Sequence, residues 1–301
     1  MPFLRQRPLG PSPLVTALAA VVALSTLSRP VRAQQAQNPS PMVEHTRAHP
    51  RLVEARPPGR REELALGTLF VPQRLAPKAG AKKTLPLLVV FHGGSWVPEV
   101  AGESVGSVVV GVQMKAGSSG YAAAVSLPER LPSLIEEAER KSGARLRPVT
   151  LAGWSAGCGA IRELLRHPEA VSRIDRVLAI DGIHTDYVDG RPGPAESRLE
   201  TGKLEPWLAF AREAVAGRKR LLVVHTEIFP GTFASTTETA DWLLGELGLK
   251  RGRVARWGPM GTVVLSDTRA GRFRMLGIAG NSAPDHVDLL HALPDLLRTR
   301  E

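Results

Sequence analysis

Gly153-Trp154-Ser155-Ala156-Gly157 sets a serine between two glycines, where an apolar run ending at Ala152 gives way to a helical pattern beginning at Ala156. A hydroxyl held on a sharp strand-to-helix turn leaves little room for side chains two positions to either side. The helix N-terminus behind it favours developing negative charge, so the pattern suits attack of a serine Oγ on an electrophilic carbon. The pentapeptide alone equally suits a tight turn whose serine caps the helix. The strand before it and the amphipathic helix after it, with Ile161, Leu164 and Leu165, favour the nucleophile. Some sixty residues upstream, the strand-like Leu87 to Phe91 runs into His92-Gly93-Gly94-Ser95-Trp96. Glycines there let backbone N–H groups turn toward an incoming oxyanion, and losing one such fixed donor typically costs ~10²-fold or more in rate. The competing reading is a strand-end turn with a core-packed His and Trp.

These segments need a scaffold that brings strand ends together. Apolar runs at Leu64 to Val71, Leu85 to Phe91, Val108 to Met114, Leu146 to Ala152, Arg176 to Ile180 and Leu221 to His225 read as strands. Helical patterns at Leu131 to Lys141, Ala156 to Arg166, Glu205 to Ala216 and Thr236 to Leu247 alternate with them. Two further strands, near Thr262 to Leu265 and Phe273 to Ile278, precede a last helix from Val287 to Arg298. Strands apolar on both alternations, alternating with helices, predict a mostly parallel sheet buried between two helical layers.

At 301 residues and 43% apolar content the chain can hold a sizeable core. Its net charge of +10 includes Arg5, Arg7, Arg29 and Arg32 in a segment expected to be removed, which leaves +6 without any long basic run. With no zinc-finger spacing or other nucleic-acid motif, nucleic acid is not expected as a partner. Residues 1–33 read as a secretory signal peptide, with a basic start, an apolar stretch from Leu14 to Leu27, and Val31-Arg32-Ala33 before Gln34. That stretch is short of the ~20 residues a spanning helix needs, so a secreted or periplasmic protein without stable membrane insertion is expected. Cys158 is the single cysteine, so no intrachain disulfide forms. Residues 34–61, rich in Gln, Pro and Arg, read as a flexible arm, and the folded domain is expected over 62–301.

Together the two glycine-bearing segments and their order resemble the α/β-hydrolase superfamily, in particular its serine esterases and lipases with a His-Gly-Gly oxyanion loop. The resemblance implies a three-layer α/β-hydrolase fold with a mostly parallel twisted sheet, and no cofactor or metal ion. Ser155 matches the nucleophile, and the oxyanion donors fall on Ala156 and on Gly94 or Ser95. The base is expected in the loop between the last strand and the last helix, where His286 fits, while His291 falls inside the helix as a packing or surface residue. For the acid the resemblance offers two positions. Glu227 follows the strand ending at His225, and Asp181 ends the preceding strand, the alternative used by pancreatic-type lipases. Asp181 is favoured because it emerges directly at the carboxyl edge of the sheet, where ligands gather in open parallel sheets.

Gly182 to Leu204 is polar and Gly/Pro-rich, too small for the helical lid of an interfacial lipase. Trp96, Phe229, Phe233 and Trp207 are candidates to line an apolar pocket, or equally to be core. His184, Tyr187 and Arg191 are candidates for a polar or anionic part of the substrate. A small or medium-sized soluble ester is the expected partner. A thioester or amide substrate uses the same machinery, and a catalytically silent binding protein on the same fold is the reading from another class. Mass spectrometry of the exported protein is expected to place its N-terminus at Gln34; retention of residues 1–33 contradicts the leader assignment.

Overall fold

The computed structural model describes residues 51–77, 83–115, 117–190 and 198–301. The expected leader, the arm up to residue 50, and Arg191 lie outside the described residues.

The strands are β1 (Gly59–Glu63), β2 (Thr68–Pro72), β3 (Thr84–Phe91), β4 (Val108–Val112), β5 (Arg145–Trp154), β6 (Arg176–Ile180), β7 (Arg220–His225), β8 (Arg253–Trp257), β9 (Val263–Ala270) and β10 (Phe273–Ile278). They form one sheet in the order β1-β2-β4-β3-β5-β6-β7-β10-β9-β8. From β4 through to β10 neighbouring strands pair in parallel, and antiparallel pairs flank them at both edges.

The helices are α1 (Val97–Val105), α2 (Ser118–Ala124), α3 (Arg130–Ser142), α4 (Cys158–Leu164), α5 (Pro168–Arg173), α6 (Glu205–Val215), α7 (Thr236–Glu246), α8 (Ala283–His291) and α9 (Leu293–Arg298). Strand periodicity sorts the core into two layers. Leu87, Val89 and Phe91 of β3 face one cluster with Leu134, Ile161, Trp207 and Leu243 from α3, α4, α6 and α7. Leu88 and Val90 face the other, with Ala101, Leu289 and Leu293 from α1, α8 and α9. In α3 the spacing Leu131, Leu134, Ile135, Ala138 makes one buried stripe, and Gly143 at φ 72° ends the helix.

Several sequence expectations are revised. Leu64 to Gly67 is a turn between β1 and β2, and β1 begins at Gly59, inside the segment assigned to the arm. Its sequence, GRREE, carries no apolar alternation because an edge strand with little burial is held through backbone pairing. β8 escaped notice for the same reason. The last helix starts earlier than expected, at Ala283, because Ser282 and Asp285 form a capping box, and Pro294 opens α9 as a separate helix.

The chain crosses from β3 outward to β4, then returns past β3 to β5 and continues outward through β6 and β7. The carboxyl ends of β3 and β5 therefore flank the point where the winding reverses, where open α/β sheets leave a crevice. Close packing at this point requires glycine. A Cβ on Gly157 would lie 2.0 Å from the Phe91 carbonyl oxygen, although the Gly157 φ of −61° suits any residue. Gly157→Ala is expected to lower stability by about 1–3 kcal/mol through this overlap, read as a shifted midpoint in urea. An unchanged midpoint contradicts the close approach of β3 to the turn.

Candidate active site

Three neighbouring strands end in the same way. His92 follows β3 at φ 63°, Ser155 follows β5 at φ 50°, and Asp181 follows β6 at φ 46°. Left-handed backbone costs a non-glycine residue roughly 1–2 kcal/mol, and such strain gathers where a side chain must leave the sheet at a set angle. These are the residues that the sequence singles out at the carboxyl edge.

Asp181 is 3% exposed, and its carboxylate accepts two hydrogen bonds on each oxygen. Oδ1 receives the Thr226 N–H at 3.0 Å and the Thr236 hydroxyl at 2.8 Å. Oδ2 receives the Thr226 hydroxyl at 2.8 Å and meets His286 Nδ1 at 2.7 Å. Burial pushes the Asp181 pKa up, but the bonds from His286, Thr226 and Thr236 outweigh it and hold the group down at about 2. The Asp181 contact engages Nδ1 of His286 and leaves Nε2 as the other ring nitrogen.

His286 lies in the first turn of α8, a correction to its expected place in the preceding loop. Asp285 Oδ2 accepts the Asn281 and Ser282 N–H groups, which anchors that turn. The indole of Trp154, next to Ser155, lies 4.6 Å from the His286 ring, and its N–H donates to the His286 carbonyl at 2.9 Å. The same indole also stacks with His92 at 5.0 Å and 10°. His92 Nδ1 in turn meets the Tyr121 hydroxyl at 3.1 Å, and burial followed by repulsion from His286 lowers the His92 pKa. Ser155 and Ala156 are half-buried, and a Cβ on Gly182 would lie 2.4 Å from the Ser155 carbonyl oxygen, so the chain after Asp181 passes directly beside the turn. Cys158 lies beneath, its thiol donating to the Gly153 carbonyl at 3.1 Å; burial pushes it up to about 12, which keeps it a packing residue.

The other candidates divide. Glu227 is exposed and its backbone N–H donates to the Gly280 carbonyl at 2.8 Å, whereas Asp181 is the carboxylate against His286. Gly94 and Ser95 are exposed at the rim, and the Gly94 N–H donates to Gln113 Oε1 at 2.9 Å. His184 packs edge-on against Phe233 at 5.1 Å with Nδ1 buried and unpartnered; burial lowers its pKa to about 4. Tyr187 is a correction. It is 4% exposed and its hydroxyl donates to Glu238 Oε2 at 2.8 Å, which makes it a brace for the start of α7. Trp207 is core, Phe229 is exposed, and Trp96 packs into the second core cluster with its ring 5.6 Å from His291. A groove of about 890 Å³ runs from Gly94, Ser95 and Gln113 to residues 54–56 of the arm. A depression of about 490 Å³ around Gly143 and Arg145 lies at the amino end of β5, away from these residues. No cluster of His, Cys, Asp and Glu suited to a metal ion occurs among the described residues. No helix among them is long and apolar enough to cross a membrane.

The sequence reading missed Thr226, Thr236, Tyr121, Gln113 and the role of Trp154. One signal was available: Ser235-Thr236-Thr237-Glu238 is a capping-box pattern, which fixes Thr236 at the head of α7.

No family model matches the chain, and no curated protein matches it. Among solved structures it is similar to a ferulic acid esterase, 17% identical over 77% of this chain and 91% of that one, with a TM-score of 0.42. It is also similar to the siderophore hydrolase EstB from Aspergillus nidulans, 12% identical over 81% and 94%, with a TM-score of 0.47. A thermophilic esterase from the Planctomycetes species Thermogutta terrifontis is 14% identical over 77% and 85%, with a TM-score of 0.44. The strand order, the antiparallel first two strands and the two helical layers of this chain are those of the three-layer α/β-hydrolase fold.

Asp181→Asn replaces one doubly accepting oxygen by a donor aimed at donors, and is expected to cost about 1–3 kcal/mol of stability at neutral pH. Because the folded pKa lies below the ordinary 3.8, the carboxylate's contribution is complete above about pH 4 and is lost as pH falls toward 2. Urea unfolding of the two proteins at pH 6 and pH 3 is expected to show the gap narrowing at pH 3. A gap that widens contradicts the assignment.

Proposed function

We propose that the chain is a serine hydrolase that cleaves a carboxylic ester of a small or medium-sized soluble substrate through an acyl-enzyme. The observation that carries this reading is the 2.7 Å contact of the buried Asp181 carboxylate with His286, beside the strained Trp154-Ser155 turn. Asp181 fixes the imidazole tautomer with the proton on Nδ1, so Nε2 is the base. As Ser155 Oγ bonds to the carbonyl carbon, its proton passes to His286 Nε2 and the carbonyl π pair moves onto oxygen. Collapse expels the alcohol oxygen, which takes the proton from Nε2, and water repeats the sequence to free the acid.

The oxyanion is assigned to the Ala156 N–H and the Ser95 N–H. The Gly94 donor is already engaged by Gln113, and that bond supports a role for Gly94 in shaping the loop. The groove between Ser95 and residues 54–56 takes one side of the ester. Its wall includes the Arg61–Glu99 ion pair, 2.5 Å apart, which presents little net charge. The edge-on pair of His184 and Phe233 is assigned to the other part of the substrate. The protein works outside the cytoplasm once residues 1–33 are removed, and needs no cofactor, nucleic-acid partner or membrane insertion.

A fluorophosphonate probe is expected to label the mature protein on Ser155 and to leave Ser155→Ala unlabelled. p-Nitrophenyl esters of increasing chain length then read the acyl preference. Asp181→Asn is expected to lower kcat by ~10⁴-fold, the cost of the corresponding change in the serine protease triad. Glu227→Gln, a surface change, is expected to stay within about twofold. Turnover by pure Ser155→Ala, or a large loss confined to Glu227→Gln, overturns the assignment.

A further inference from the structure

We infer that Trp154 is a positioning residue which sets the His286 imidazole against the serine turn and keys it to the oxyanion loop; the inference rests on the hydrolase reading above. The indole contacts two imidazoles from different parts of the chain. His92, on the segment leaving β3, stacks on it at 5.0 Å and 10°, and His286, on α8, lies tilted against it at 4.6 Å and 31°. The indole N–H, its single donor, is spent on the His286 backbone carbonyl at 2.9 Å. This bond fixes the height of α8 over the turn, and the ring face fixes the tilt of the imidazole. Asp181 fixes the third coordinate from the Nδ1 side.

The residue immediately before the nucleophile thus touches the base and the oxyanion loop at once. Its neighbour Ser155 has the strained φ of 50°. The stack also acts on charge. When His286 takes the serine proton it becomes an imidazolium against the electron-rich face of the indole, which attracts a cation. Burial, followed by repulsion from His286, lowers the His92 pKa, and its Nδ1 meets the Tyr121 hydroxyl at 3.1 Å. The contact between the indole and His286 therefore gains attraction when the base becomes charged.

Two substitutions separate the contributions. Trp154→Phe keeps a ring face and loses the N–H, and is expected to lower kcat about 5-fold, the loss of one hydrogen bond. Trp154→Leu loses both, and is expected to lower kcat about 100-fold, the scale of an ångström-level misplacement of a reacting group. KM and the inhibition constant of a non-reactive substrate analogue are expected to stay within about twofold, because no ground-state contact to substrate is removed. Fluorophosphonate labelling is expected to slow in parallel with kcat. The ring-current displacement of the His286 carbon-bound protons, read by NMR in the unliganded protein, is expected in the wild type, reduced in Trp154→Phe and absent in Trp154→Leu. Melting temperatures identify a variant that has simply lost its fold, in which case the Phe variant carries the test. Wild-type labelling and turnover with equal rates in both variants, or losses confined to KM, overturn the inference alone. A wild type that neither labels nor cleaves any ester removes the hydrolase reading, and the positioning role with it.

Discussion

A carboxylate that is almost wholly buried must have its lone pairs filled, and at Asp181 this requirement organises the carboxyl edge of the sheet. Three of its four bonds come from Thr226 and Thr236, on the segment after β7 and at the head of α7, and the fourth from His286 on α8. Removal of such a charge from water costs several kcal/mol unless every bond is made. The ends of β6 and β7, α7 and α8 are therefore fixed relative to one another by one side chain. The same bonds that offset burial place His286 at a definite angle over the turn bearing Ser155.

The second constraint is backbone geometry at the reversal of winding. His92, Ser155 and Asp181 all leave their strands with positive φ, so three adjacent strands each lift a side chain out of the sheet within a few residues of one another. Such strain persists only where the surroundings over-determine it. Here they do so through close approach: Gly157 abuts the Phe91 carbonyl, and Gly182 abuts Ser155 and the Cys158 sulfur. The two glycines admit contacts that any side chain would prevent, and the buried thiol fills the space between them.

Much of this was legible in the sequence, and the rest was not for identifiable reasons. The buried strands β3, β5, β6, β7 and β10 announce themselves by apolar runs, because both of their faces are covered. The edge strands β1 and β8 do not, because their stability lies in backbone pairing that no residue type encodes. Ser155 and the His-Gly-Gly segment carry glycine spacing that a tight turn needs, and His286 came from the chain order that the resemblance implies. The choice between Asp181 and Glu227 was a question of which carboxylate becomes buried with donors around it. That depends on Thr226 and Thr236 arriving from β7 and α7; the capping box places Thr236 at the head of α7, but its meeting with Asp181 is a tertiary fact. Tyr187 misled because a tyrosine in a polar loop after a strand end reads as a substrate contact, whereas its partner, Glu238, is a capping residue 51 positions away.

The support of Asp181 continues outward and accounts for residues that have no place in the proposed chemistry. The Thr226 carbonyl accepts from His225 Nδ1 at 3.0 Å and from the Thr237 hydroxyl at 3.0 Å. His225 Nε2 meets a guanidinium N–H of Arg251 at 2.8 Å, and an arginine nitrogen can only donate, so the proton of this imidazole resides on Nδ1. Burial lowers the His225 pKa, consistent with a neutral ring that accepts from one side and donates to the other. Arg251 also donates to Ser266 of β9 and pairs with Asp241 of α7. The antiparallel extension at the far edge of the sheet thereby bears on Thr226, and through Thr226 on Asp181. Although β9 and the segment before β8 hold none of the proposed catalytic groups, they restrict the freedom of the carboxylate that meets His286.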